Sequence, residues 1–282
     1  MRIGLCTFVT EYTIDPVSLG RLAEQRGFDA LFLPEHTHIP VSRDTPYPGG
    51  GELPREYSHM VDPLVSLGAA AGVTDRLELG TGVSLVIEHD PIVLAKQVAT
   101  LDLVSGGRAL FGVGAGWNRE EMRNHGTDPA ERFEVLRERV EAIKKIWTSE
   151  EAEYHGRHVD FDPIWAWPKP VRQPHPPVLV GGVSDGALER VVAFGDEWMP
   201  NRVRSPEDLG ARIAELQRRA EAAGRGPIPV TLYGAKPEAR AIERVREVGV
   251  SGFLFYVPSE DAGETERRLD ELAAVAAEAR GG

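Results

Sequence analysis

Short runs of consecutive apolar residues alternate along the chain with longer stretches whose apolar positions recur every three or four residues. These are the signatures of buried strands and of helices with one core-facing stripe. The apolar runs fall at 2–8, 28–33, 77–83, 108–113, 178–180, near Trp198-Met199, at 230–233 and at 252–256. Between them, Asp15-Pro16, Asp62-Pro63, Asp90-Pro91 and Asp128-Pro129 each place a capping carboxylate before a proline, a combination that opens helices. The segment after Asp128-Pro129 carries Phe133, Leu136, Val140, Ile143 and Trp147 on one stripe. Later helices are expected to start at Ser184 or Asp185, at Ser205-Pro206, at Pro237 and near residue 260.

Eight strand–helix pairs with no run of hairpins predict an α/β fold, a parallel sheet closed into a (β/α)8 TIM barrel. A chain of 282 residues suits one such barrel, so 1–282 is read as a single domain. Two long irregular stretches interrupt the pattern: 37–60, rich in Pro and Gly, and 149–177, rich in Pro. Both are expected to be excursions that cover a site.

Composition narrows the partners. The formal net charge is −12, with 41% hydrophobic and 27% charged residues. Nucleic acid and anionic membranes attract Lys and Arg through phosphate, so neither is expected as a partner. No segment has the length of a membrane span, and no signal-like stretch precedes the first strand, so a cytoplasmic protein is expected. The single Cys6 lies in an apolar run and reads as buried filler.

The run from Leu77 to Glu121 carries most of the candidate chemistry. One strand in it ends in Gly80-Thr81-Gly82-Val83 and the next in Gly112-Val113-Gly114-Ala115-Gly116, each just before a helix. Parallel α/β folds bind ligands at that end of their strands. Glycine there suits a flat ring lying on the backbone, and it equally suits tight helix–strand packing. After the second strand comes Glu35-His36-Thr37-His38. An imidazole at a barrel mouth can pass a proton near neutral pH. His36 and His38 as a shared metal pair is an alternative, but the other strand ends offer glycines where further ligands would be needed. Gly181-Gly182-Val183-Ser184 precedes a helix and reads either as a phosphate seat or as an ordinary tight turn. Arg190, Arg202, Arg204 and Lys236 are basic groups near the same rim.

The stretches GTGV, HDPIVLAKQVATLDLVSGGR and GVGAGWNREE resemble the luciferase-like flavin and deazaflavin oxidoreductases, especially their F420-dependent branch. The resemblance implies an oxidoreductase that moves a hydride between F420 and a small organic substrate. It implies His36 beside the reactive carbon of the ring, with Glu35 orienting it or binding the ring. It also implies a cofactor site formed by Glu35, His36, Gly82, Val83, Ser84, Gly112, Gly114, Gly116, Asn118, Gly181, Gly182, Val183 and Ser184, with no metal. A non-prolyl cis peptide at Gly82-Val83 and a homodimer follow from the same likeness. Two other readings stay open: an FMN-dependent monooxygenase fed by a partner flavin reductase, and a flavin-binding protein without turnover. Relatives that oxidise a sugar phosphate carry a glutamate directly after the glycine-rich turn. This chain has Trp117 there, so glucose 6-phosphate is not an expected substrate.

Overall fold

The computed structural model describes residues 1–201 and 203–281. Arg202, one of the basic rim candidates, and Gly282 lie outside the described residues.

The strands are β1 (Arg2–Thr7), β2 (Ala30–Leu33), β3 (Glu78–Thr81), β4 (Ser84–Leu85), β5 (Ala109–Gly114), β6 (Ala152–His155), β7 (Asp160–Ile164), β8 (Val178–Gly181), β9 (Glu197–Met199), β10 (Thr231–Ala235) and β11 (Gly252–Val257). Eight of them form one parallel sheet in the order β10-β11-β1-β2-β3-β5-β8-β9, and the short β4 pairs with β5. The two ends of that order meet. Trp198 bridges to Val230, the Trp198 N–H donates to Pro229 at 2.9 Å, and the Tyr233 N–H donates to Pro200 at 2.9 Å. The expected eight-stranded barrel is therefore nearly closed.

Helices α1 (Pro16–Gln25), α2 (Pro63–Ala71) and α3 (Pro91–Val104) start where the Asp-Pro pairs predict. Asp15, Asp62 and Asp90 each accept a hydrogen bond from the backbone N–H three residues on, at 2.8–2.9 Å. The fourth pair behaves differently. Asp128 turns back to the Ala130 N–H at 2.9 Å, closing a local turn, and α5 (Arg132–Thr148) begins only afterwards. A short helix the sequence reading does not contain, α4 (Arg119–Asn124), precedes it. Phe133 consequently falls off the core-facing stripe. It is 40% exposed and is clasped by the guanidinium groups of Arg132 and Arg190, at 4.2 and 4.0 Å. Arg190 is committed to that stack.

The remaining helices are α6 (Asp185–Phe194), α7 (Pro206–Ala222), α8 (Ala239–Glu247) and α9 (Ala262–Gly281). The main core lies between helices and the outer face of the barrel. A smaller cluster of Cys6, Ala30, Phe32, Leu110, Leu179, Met199 and Leu254 fills the barrel itself, with Val83 and Tyr233 on top. Cys6 is fully buried, and burial pushes its thiol up to about 12, as suits inert filler.

The stretch 149–177 does not cover the barrel mouth. It forms an antiparallel β6–β7 hairpin beside α5 and then runs beneath the barrel. There Val171 packs on Gly107, the Arg172 N–H donates to Asp102 at 2.9 Å, and the Arg172 guanidinium reaches Glu78 at 3.4 Å. Glu78 and Gly107 mark the starting ends of β3 and β5. The reason is one of direction: this stretch follows a helix and precedes a strand, so the chain delivers it to the end opposite the βα loops. The other excursion, 37–60, follows a strand and does lie over the mouth.

Candidate active site

Pro34, Glu35 and His36 continue directly from β2, and successive side chains of an extended chain point opposite ways. Glu35 turns toward the loop after β3. Its carboxylate accepts hydrogen bonds from the Ser84 hydroxyl at 2.9 Å and the Leu85 N–H at 2.6 Å, and it meets His89 Nε2 at 2.8 Å. Burial alone would raise this carboxyl. The His89 hydrogen bond and charge, with those from Leu85 and Ser84, outweigh it and hold Glu35 below the usual carboxylate range. Burial likewise disfavours charge on His89, but Glu35 wins and the imidazole is raised. Both shifts favour an ion pair between the buried Glu35 carboxylate and the part-buried His89 imidazole.

Glu35 and Ser84 thus bind each other; neither side chain faces His36. Together they fix the turn in which the Gly82-Val83 peptide is cis, as the resemblance implied. The floor beside this turn differs from a row of open glycines. Gly112 lies under the chain of β3, where an added Cβ would sit 1.9 Å from the Thr81 carbonyl. A Cβ at Gly114 would meet Val83 at 2.6 Å, and one at Gly181 would meet it at 3.1 Å. Gly112 and Gly114 are glycine because neighbouring strands need the room. The surface they help shape is the side chain of Val83.

His36 turns the other way. Its side chain is 6% exposed, and Nδ1 lies 2.7 Å from Glu121 Oε2 on α4. The Trp117 indole N–H donates to His36 Nε2 at 3.2 Å. Aromatic rings close around it: Tyr57 at 5.4 Å and Trp117 at 5.7 Å between centroids, with Tyr47 against both of those rings. The 37–60 excursion supplies Tyr47 and Tyr57, and also Met60, whose sulfur accepts the His36 backbone N–H. It is pinned to α4 by the Thr45 N–H on Glu120 at 3.2 Å and by His38 Nε2 beside the Asn124 amide at 2.8 Å. His36 and His38 therefore serve different partners and share no metal position. Among the described residues no group of three or more His, Cys, Asp or Glu is placed to hold an ion.

Glu121 is 1% exposed, and its second oxygen has no partner. Glu88, just after β4, has neither oxygen hydrogen-bonded. Burial, then the charges of Glu121 and Glu35, push its carboxyl up to about 9, so it holds a proton at neutral pH. The sequence reading does not contain Glu121, Glu88 or His89 as site residues. One local signal existed: Asn118 and Glu121 have capping-box spacing. The Asn118 carbonyl does cap α4, 3.5 Å from the Glu121 N–H, and its amide nitrogen is buried without a partner. Glu121 instead leaves the cap for His36.

Three strands round the barrel, Gly181-Gly182-Val183-Ser184 leads into α6. Ser184 caps that helix through the Ala187 N–H at 3.2 Å, Gly182 has φ +107°, and Trp198 Nε1 donates to the Gly182 carbonyl at 2.8 Å. A cleft of about 590 Å³ opens here, lined by the apolar Val183, Trp198, Pro200 and Leu209 and by the charged Arg204, Arg212, Asp208 and Glu215. Arg212 gives one nitrogen to Asp185 at 2.9 Å, while its Nε and remaining Nη have no partner. Unpaired cationic donors beside a helix N-terminus suit an anionic group.

Over residues 13–275 the sequence matches the luciferase-like monooxygenase family. The Mycobacterium tuberculosis "Uncharacterized protein Rv0953c" is 43% identical over 97% of this chain and 98% of its own length. A Pseudomonas putida "FMNH(2)-dependent dimethylsulfone monooxygenase" is 33% identical over 62% of this chain and 52% of its own. A solved "F420-dependent secondary alcohol dehydrogenase" superposes with a TM-score of 0.78 at 18% identity, covering 99% of this chain and 100% of the other, a likeness of fold. The sequence match runs over nearly the whole chain and the nearly closed barrel agrees with it, and the chain belongs to the luciferase-like monooxygenase family.

Proposed function

We propose that this chain is an oxidoreductase that binds F420 across the ends of β3, β5 and β8 and exchanges a hydride between it and a small organic substrate. When bound, F420 supplies a ring carbon that gives or takes the hydride. The observation that carries the proposal is His36: buried, hydrogen-bonded through both ring nitrogens, and ringed by Tyr57, Tyr47 and Trp117. A protein that only stores a flavin has no use for an imidazole so placed. Val83 and the part-exposed Gly82, Gly116, Gly181 and Gly182 offer a flat surface, and Gly182, Val183, Ser184 and the unpaired Arg212 donors offer an anion seat. With adjacent strands about 4.8 Å apart, three strand spacings separate His36 from that seat by roughly 14 Å. The aromatic wall excludes water from His36, which exchanges a proton with the substrate as general acid or base.

Arg204 and Arg212 share this cleft with Asp208 and Glu215, so its formal charges balance, and it is the sequence resemblance that supports F420 over FMN. FMN dependence with a partner reductase is the second reading, and the Pseudomonas relative's description favours it. Val65 on α2 and Val93, Leu103 and Val104 on α3 are 48–74% exposed. Their apolar face supports pairing of two copies through these neighbouring helices. The test of function is His36→Ala assayed with F420. Turnover should fall by at least about a hundredfold while cofactor affinity changes less than about threefold. Full activity in that variant would end the acid–base assignment.

A further inference from the structure

His36 is held by two partners whose hydrogen-bonding rules leave one arrangement. An indole N–H can only donate, so His36 Nε2, 3.2 Å from Trp117 Nε1, must present a lone pair. A neutral imidazole with a lone pair on Nε2 carries its proton on Nδ1. That nitrogen lies 2.7 Å from Glu121 Oε2, an acceptor. The second bond is thus the one the first requires.

The setting makes the Glu121 contact matter. Glu121 is 1% exposed, and apart from its His36 contact its side chain has no hydrogen bond. Facing this pair are Tyr57 from the 37–60 excursion, with Tyr47 behind it, and on the Glu121 side Glu88, His125 and Arg139. Glu88 bears a proton and adds no second negative charge at neutral pH. His125 lies 3.6 Å from Glu88 and is shifted toward its neutral form by burial and then by His38. Arg139 is engaged by the Val86 carbonyl and by the charges of Asp90 and Glu88, and the side chain in ion-pair contact with Glu121 is His36.

We infer that Glu121 is a positioning residue for His36: it fixes the imidazole proton on Nδ1 and leaves Nε2 as the nitrogen that exchanges a proton with the substrate, whose polar group takes the place of the Trp117 indole. When Nε2 takes up a proton, Nδ1–H stays shared with Glu121, and an imidazolium–carboxylate pair forms with no further proton movement. A protonated Nε2 and an indole N–H are both donors, so proton uptake also turns Trp117 away. The role rests on the acid–base reading of His36; the tautomer does not.

The experiment uses the full chain, labelled with ¹⁵N in histidine and tryptophan, without added cofactor. Wild type should show His36 with Nδ1 protonated and Nε2 bare, and one indole N–H signal that is lost in Trp117→Phe. In Glu121→Gln the amide can offer Nδ1 either its carbonyl or its own N–H, so the His36 signals should divide between the two tautomers. Turnover should fall in that variant by about tenfold with KM little changed, and Glu121→Asp should restore part of it. A wild-type ring protonated on Nε2 overturns the inference whether or not any variant folds, and so does a Glu121→Gln enzyme with unchanged kcat. If the tautomer is as stated but His36→Ala keeps full turnover, it is the acid–base reading that fails.

Discussion

Glu35→Gln is the sharpest perturbation of the mouth, because Glu35 is the buried anion on which the turn after β3 depends. Its carboxylate serves the Ser84 hydroxyl, the Leu85 N–H and His89 at 2.6–2.9 Å, and it is 4% exposed. An amide cannot satisfy all three: it keeps one acceptor, turns the other position into a donor, and leaves protonated His89 without its anion. Breaking one side of a buried pair costs about 3–5 kcal/mol. At roughly 2–4 °C per kcal/mol for a domain of this size, melting should fall by about 10 °C. The pH dependence follows from both partners. The Glu35 carboxyl is held down, so its contribution is present above the unfolded carboxylate value and fades as pH falls through the lower folded one. The His89 imidazole is raised, so its contribution is complete below the unfolded imidazole value and fades as pH rises through the higher folded one. The pair therefore stabilises most between about pH 4.5 and 6.5, the two ordinary values. Melting followed by circular dichroism from pH 4 to 9, on wild type, Glu35→Gln, His89→Gln and the double variant, measures the coupling. A Glu35→Gln melting point within about 2 °C of wild type across that range would refute the ion pair.

Glu88→Gln should stabilise the protein by about 1–3 kcal/mol near pH 8, since a carboxyl pushed up to about 9 loses stability steadily as pH rises from its unfolded value toward 9; denaturant melts at pH 6 and 9 check that the gain grows with pH. Gly114→Ala puts a Cβ 2.6 Å from Val83 and should cost about 1–3 kcal/mol, with cofactor affinity lowered about tenfold in a fluorescence titration because the floor shifts. Val65→Glu with Val93→Glu, on the apolar face proposed to pair two copies, should give a monomer in sedimentation velocity where the unsubstituted chain sediments as a dimer, and a variant that still sediments as a dimer would refute that pairing.

The barrel was legible because its signals are local and redundant. Three Asp-Pro caps act through the backbone N–H three residues on, and apolar runs such as 28–33 have no alternative but burial. Asp128-Pro129 looked the same and was not, since an Asp carboxylate reaches the N–H two residues on as readily as three. Proline content does not say which end of a barrel the 149–177 stretch occupies; its position after a helix and before a strand does. At the mouth, the place of His36 follows from β2, but which carboxylate it meets does not. Glu35 is adjacent to His36 in sequence and points away from it, whereas Glu121, 85 residues on, touches it. Gly112 and Gly114 were ambiguous for a similar reason: the same lack of a Cβ serves a ring or a neighbouring Val83, and only the packed barrel shows which neighbour is there.

The most direct test is to titrate the purified chain with F420 and, separately, with FMN in the same buffer, following the absorbance and fluorescence of each. The account predicts F420 bound at least about tenfold more tightly, with Arg212→Gln weakening it and His36→Ala leaving it in place. FMN bound more tightly by that margin, or neither bound at all, would contradict it.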